Sequence, residues 1–171
     1  EGTLSVLDRL CREETPANGS TPASLTYCGW THNKSKGRDY DPALAFYGCD
    51  DVAIEGPGEI NGNGYRWWWT ELLGAVPYKR PYLVYFGGGS RRVSVGGGLR
   101  LIDAPHNHLF LERVDGADVR GLKVWCDWRR QRALAHGAGV PMLPFNTDGV
   151  DASGANFTIA DAAIENFDDV I

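Results

Sequence analysis

Nothing in these 171 residues reads as a membrane span, because no apolar run approaches the roughly 20 residues that a bilayer-crossing helix needs. The start has no charged-then-apolar targeting segment, and its first residue is Glu1 rather than Met. Positive charge is in short supply: 17 Lys and Arg against 22 Asp and Glu give a net charge of -5. A dedicated nucleic-acid binder is normally basic, so that class is disfavoured. The clusters Arg91-Arg92 and Arg129-Arg130 with Arg132 read as solvated surface. Four cysteines (Cys11, Cys28, Cys49, Cys126) contain no Cys-x-x-Cys pair, which leaves zinc ribbons and thioredoxin-type chemistry without support. Their even number allows a Cys11–Cys28 disulfide or buried free thiols. No amphipathic helix of ten or more residues separates the apolar runs, which argues against doubly wound α/β folds.

Two further signals fail on inspection. Gly56-Pro57-Gly58-Glu59-Ile60-Asn61 follows a strand-like run, but Asn61 stands where a dinucleotide loop needs its third glycine, and no helix pattern follows. The glycine runs 87–89 and 96–98 lack the lysine of a phosphate loop. Glycines here suit the corners of a winding chain, where positive φ is needed. His106 and His108 alternate, with His136 further on, but no third ligand is evident. We expect surface or turn histidines, no metal site and no cofactor. Thr147-Asp148-Gly149 lacks the order of an aspartic-protease signature.

What is present is a series of short β-like runs bounded by Gly, Asn or Asp. We place strands at Ala43–Tyr47, Val52–Glu55, Tyr82–Phe86, Arg92–Val95, Leu99–Ile102, Leu109–Glu112, Val119–Val124 and Phe157–Ile159. Several share one form, a polar residue followed by apolar-x-apolar: Asp51–Ile54, Arg92–Val95, His108–Leu111 and Asn156–Ile159. Related runs recur every 20–40 residues, as expected when each repeat is one coil stacked on the last. The expected architecture is all-β, a parallel β-helix over residues 43–171 with a long loop insertion at 61–81. Residues 1–42 are expected to be irregular apart from a short helix around Leu4–Arg12.

Near the end, Asn146-Thr147-Asp148-Gly149-Val150 is echoed by Asn166-Phe167-Asp168-Asp169-Val170, an offset of 20 residues. If each copy occupies one turn, Asp148 stacks beside Asp168 and Asp169. A ladder of Asn146 and Asn166 would account for the amides structurally, with the aspartates merely solvated. Like charges gathered on adjacent coils repel, however, and crowding raises at least one pKa, as acid/base chemistry on a glycosidic bond requires. Neighbours on a regular strand face opposite ways, so Asp168 and Asp169 share a cleft only if the chain bends there.

These residues resemble the signature of family 28 glycoside hydrolases, the polygalacturonases and rhamnogalacturonases that cut pectin. The matching segments are Asn146–Asp151, Asn156–Ile159 and Asn166–Asp169. Upstream, Gly56–Gly64 with Trp67-Trp68, Arg80–Val84 and Leu99–Pro105 resemble the family's first coils. The resemblance implies a right-handed parallel β-helix and inverting hydrolysis of α-1,4-galacturonosidic linkages. Carried over by position, Asp168 is the general acid, while Asp148 and Asp169 hold and deprotonate the attacking water. Asn146 is a candidate substrate-binding residue. No metal or organic cofactor is implied. The partner is a pectic polysaccharide, met outside the cell by a monomeric enzyme, and the sequons at Asn18, Asn33 and Asn156 fit secretion. Phe167 stands where the family usually has Gly, a variant of rhamnogalacturonase-like and exo-acting branches.

The family's Gly-His-Gly and Arg-x-Lys motifs do not occur before Ile171. We therefore expect a helix incomplete at its C-terminal end, with little activity and marginal stability in the 171-residue chain alone. Two rivals stand beside hydrolysis of polygalacturonan. One is a non-catalytic carbohydrate-binding β-helix whose Trp67–Trp69 stack on sugars. The other keeps the architecture with another chemistry or substrate: a calcium-using pectate lyase, or a hydrolase of rhamnogalacturonan or xylogalacturonan.

Overall fold

The computed structural model describes the backbone of Leu10–Cys11 and Ser24–Tyr27, and residues 41–74, 79–127 and 144–171. Thirteen elements follow in order: β1 (Leu10–Cys11), β2 (Ser24–Tyr27), β3 (Leu44–Tyr47), β4 (Asp50–Glu55), β5 (Glu59–Asn61), α1 (Tyr65–Leu72), β6 (Val84–Gly87), β7 (Arg91–Gly96), β8 (Arg100–Ile102), β9 (Leu109–Arg120), β10 (Lys123–Trp125), β11 (Val150–Ala160) and β12 (Ala163–Glu165). Apart from the antiparallel β1–β2 pair, every strand pairing is parallel. The chain is a parallel β-helix whose coils present three faces. β3, β6 and the first halves of β9 and β11 form the first face, with β4, β7 and the second halves forming the next. β2, β5, β8, β10 and β12 form the third.

Stacking in register builds the core. Leu44, Val84, Leu109 and Val150 align on successive coils of the first face, each at most 5% exposed. On the third face Ile60, Leu101, Val124 and Ile164 align in the same way. Parallel strands about 4.8 Å apart let each branched side chain sit on the one below. Burying such a side chain is worth roughly 1.5–3 kcal/mol relative to leaving it in water. A strict register therefore follows from the apolar column.

The corners explain the recurring polar residue. Asp51, Arg92, Gly116 and Asn156 occupy equivalent positions between the first and second faces, and all have positive φ, from 49° at Arg92 to 82° at Gly116. The chain turns there so that the following apolar-x-apolar run can point inward. Only one of these corners is a glycine. The corner after the second face is closer to expectation, with Gly56, Gly97 and Gly121 at φ values of 116°, 62° and 64°, and Asp161 completing the column at 54°.

Several expectations are corrected. Leu10–Cys11 is strand, not helix, and pairs with β2 inside the segment read as irregular. The 61–81 insertion is not simply a loop: α1 occupies Tyr65–Leu72, starting after Gly64 without a side-chain cap. The run Val119–Val124 is broken at 121–122, between β9 and β10. The short strands β5 and β12 were not anticipated. Expectations resting on Asn18, Cys28, Asn33, Arg129, Arg130, Arg132, His136 and the Cys11 side chain lie outside the described residues. Cys49 and Cys126 are free thiols, the latter buried.

Candidate active site

The offset of 20 residues is one full turn of the helix. The Gly149 amide donates to Asp169 O at 2.9 Å and the Val150 amide to Val170 O at 3.1 Å. On the other side, the His108 amide donates to Asp148 O at 2.9 Å. Asp148 thus sits at the entrance to β11, between the residues entering β9 and the pair Asp168-Asp169 one coil further on. A bend at Phe167–Asp168 breaks the strand alternation. Both residues of the pair are exposed, and the charges of both raise the pKa of Asp148.

The amides flanking these aspartates do not form a mutual ladder. Asn146, with φ of 54°, directs its backbone N–H to Asp168 Oδ2 at 2.8 Å and its side-chain amide to the same oxygen at 3.4 Å. Asn166 Nδ2 donates to Asp169 O at 2.7 Å, and the Asp169 amide donates to Asp168 Oδ1 at 3.1 Å. Both oxygens of Asp168 are held by the turn, with the carboxyl group facing solvent. Thr147 is buried, its hydroxyl donating to Pro144 O at 2.8 Å, which fixes the loop that delivers Asp148.

Asp148 differs from its partners. Burial, followed by the charges of Asp151 and Asp168, raises its pKa to about 6. Its Oδ2 accepts from Asn107 Nδ2 at 3.0 Å, while Oδ1 is buried without a partner among the described residues. A buried carboxylate oxygen with a free lone pair is suited to holding a water molecule.

The folded-state pKa lies above the usual carboxylate range, so folding favours the protonated form. The associated stabilisation is present below about pH 4 and is lost as pH rises through about 6. Asp148→Asn, a neutral isostere, should match the parent near pH 4 and be the more stable protein at pH 7.5. Urea denaturation at the two pH values measures this, and a variant less stable than the parent at pH 7.5 would contradict it.

Sequence reasoning missed three contributors. Asn107, 1% exposed, lies beneath the aspartates. Asp151, in the first-face strand, accepts a close hydrogen bond from Asn107 Nδ2. Arg80, 2% exposed, donates to Pro105 O at 2.7 Å and to Phe145 O, and its Nε lies 2.6 Å from a Glu71 carboxylate oxygen. It therefore ties α1 to the loop that carries Asp148. Asp151 and Arg80 lay inside recognised motifs with no role attached, and nothing local marked Asn107.

The two histidines take different places. His108 is fully buried: Nδ1 donates to Asp148 O at 3.1 Å, and Nε2 accepts from the Ala104 amide at 3.3 Å. That pattern fits the neutral ring, and burial lowers the pKa to about 4. His106, half-buried, donates from Nδ1 to Asn107 Oδ1 and is likewise lowered to about 4, chiefly by burial. No cluster of three or more His, Cys, Asp or Glu side chains suited to a metal ion occurs among the described residues.

The signature of glycosyl hydrolases family 28 matches residues 13–171, and this chain belongs to that family. It is 30% identical over 156 residues to a probable polygalacturonase of Arabidopsis thaliana, a match covering 89% of this chain and 29% of that protein. The chain thus spans under a third of the length of that curated relative. No solved structure matches it.

Proposed function

We propose that this chain carries the catalytic carboxylates of a pectinase that hydrolyses α-1,4-galacturonosidic linkages with inversion. One observation carries the reading: a single turn of the helix sets Asp148 beside Asp168 and Asp169, with a bend at Phe167–Asp168 that breaks the strand alternation. Asp168, reaching into solvent, protonates the departing glycosidic oxygen. Asp148 and Asp169 hold the water on the other side of the bond and remove its proton as it attacks the anomeric carbon. A pKa near 6 leaves Asp148 ionised enough at mildly acidic to neutral pH to act as base.

Asn146 keeps Asp168 in place and stands exposed at the mouth of the site, where a sugar hydroxyl can reach its amide. A uronate polymer needs a cation in an otherwise acidic cleft, and Lys79 supplies one. It is exposed, donates to the Tyr82 hydroxyl at 2.7 Å, and its charge reaches His106, as does that of Asp168. A polysaccharide of this kind is met outside the cell, and we infer a secreted enzyme. No helix among the described residues is long and apolar enough to cross a membrane.

The test is product analysis with the full-length protein on polygalacturonate. New reducing ends should appear without the ultraviolet absorbance of unsaturated uronides, and a calcium chelator should not stop the reaction. Unsaturated products that vanish with chelator would replace hydrolysis by elimination.

A further inference from the structure

We propose that Asn107 is a positioning residue of this site: its side-chain amide ties Asp148 to Asp151 and so sets the pH at which Asp148 accepts a proton from water. The inference rests on the hydrolytic reading above for its consequence in catalysis, but the tie itself is geometric.

Asn107 has all of its side-chain hydrogen-bonding groups engaged. One Nδ2 proton goes to Asp148 Oδ2 at 3.0 Å and the other to Asp151 Oδ2, while Oδ1 accepts from His106. Ionised carboxylates only accept, so the amide nitrogen must face them and the oxygen must face the histidine. The side chain cannot turn over without breaking all three bonds. The fold makes this geometry obligatory. Asn107 enters β9 where Asp148 enters β11, and the register Leu109 to Val150 and Phe110 to Asp151 fixes the two strands against each other. At 1% exposure the amide exchanges no bonds with bulk water.

The charges around Asp148 come from every side. Asp151 lies three residues on in β11, Asp168 and Asp169 on the following turn, and Arg80 ahead of β6; neutral His106 and His108 stand at the entrance to β9, with Cys126 beside His108. Three carboxylates thus oppose ionisation of Asp148. Against them Asn107 supplies two polarised protons, one for each of the two carboxylates nearest to it. A donor to a carboxylate favours its charged form, and a neighbouring negative charge disfavours it. The two components of the tie therefore act on Asp148 with opposite sign. Removing the amide makes Asp148 harder to ionise; removing the Asp151 charge makes it easier. A residue 107 that merely filled space would leave only the second effect, which the Asp151 charge produces by itself, so the rise on removing the amide is the diagnostic one.

The experiment is a carboxyl ¹³C NMR titration of Asp148 in the parent protein, Asn107→Ala and Asp151→Asn, together with the pH profile of kcat/KM. The Asp148 midpoint should rise by about one pH unit in Asn107→Ala and fall by about as much in Asp151→Asn. The acidic limb of the rate profile should follow each shift. Unchanged midpoints, or shifts in the same direction, overturn the proposal. Should Asn107→Ala not fold, Asn107→Ser, which offers the carboxylates one donor in place of two, carries the test: the Asp148 midpoint should again rise, and an unmoved midpoint overturns the proposal. Opposed midpoint shifts in a protein that hydrolyses no pectic polymer would support the tie while removing the hydrolytic reading.

Discussion

Asp168→Asn should lower hydrolysis of polygalacturonate by the full-length protein on the order of 10³-fold and leave affinity for the polymer within a few-fold. The substitution keeps the shape of the side chain and one acceptor for the Asn146 amide, which now reaches Asp168 Oδ2 at 2.8 Å. It removes the proton that the departing sugar needs. Positioned general acids contribute roughly 10²–10⁴-fold, so the loss should appear in kcat with KM little changed. Reducing-end assays give the rate, and calorimetric titration with an oligogalacturonate gives the affinity. A variant retaining most of its turnover would remove Asp168 from the chemistry. Equal losses of binding and turnover would make it a substrate ligand instead.

Trp68→Ala should destabilise the fold by about 3–5 kcal/mol, the usual cost of deleting a fully buried large aromatic side chain. Trp68 is 1% exposed, and its Nε1 donates to Ala104 O at 3.1 Å, joining α1 to the turn that precedes Asn107 and His108. Trp67 is 3% exposed and packs in the same core. Neither ring is available to stack on a sugar, which weakens the idea of a binding surface built on the tryptophan triplet. Urea denaturation should show the loss of stability. At a temperature where the variant remains folded, polysaccharide affinity should stay close to that of the parent. A stable Trp68→Ala protein with abolished binding would reverse this assignment.

Much of the winding was legible because the coil imposes a local rule. A corner residue at positive φ must precede two inward-facing apolar residues, and Asp51, Arg92 and Asn156 each obey it within β4, β7 and β11. His108 shows the limit of the pattern. It also precedes apolar-x-apolar, yet it lies buried at the entrance to the first face, where its ring secures the Asp148 carbonyl. The strands β5 and β12 span three residues each, too few for alternation to register. α1 has neither an acidic first turn nor a side-chain cap, so its start carried no sequence signal.

The three aspartates could be gathered from their offset because one turn of this coil has that length. Asn107 could not. Its partners Asp148 and Asp151 lie 41 and 44 residues away, across a longer excursion of the chain. Only the register of β9 against β11 brings them together. Crowding was expected to keep an acid protonated, whereas the raised pKa falls on Asp148, the residue proposed to deprotonate the water. Its leading cause proved to be burial, with Asp151 ahead of Asp168 among the charges.

The most direct test is a crystal structure of full-length Asp168→Asn with an oligogalacturonate bound. The account predicts a glycosidic oxygen within hydrogen-bonding reach of residue 168, and a water held by Asp148 and Asp169 on the opposite side of the anomeric carbon. An oligosaccharide lying elsewhere on the coil, with residues 148 and 169 facing no sugar linkage, would contradict it.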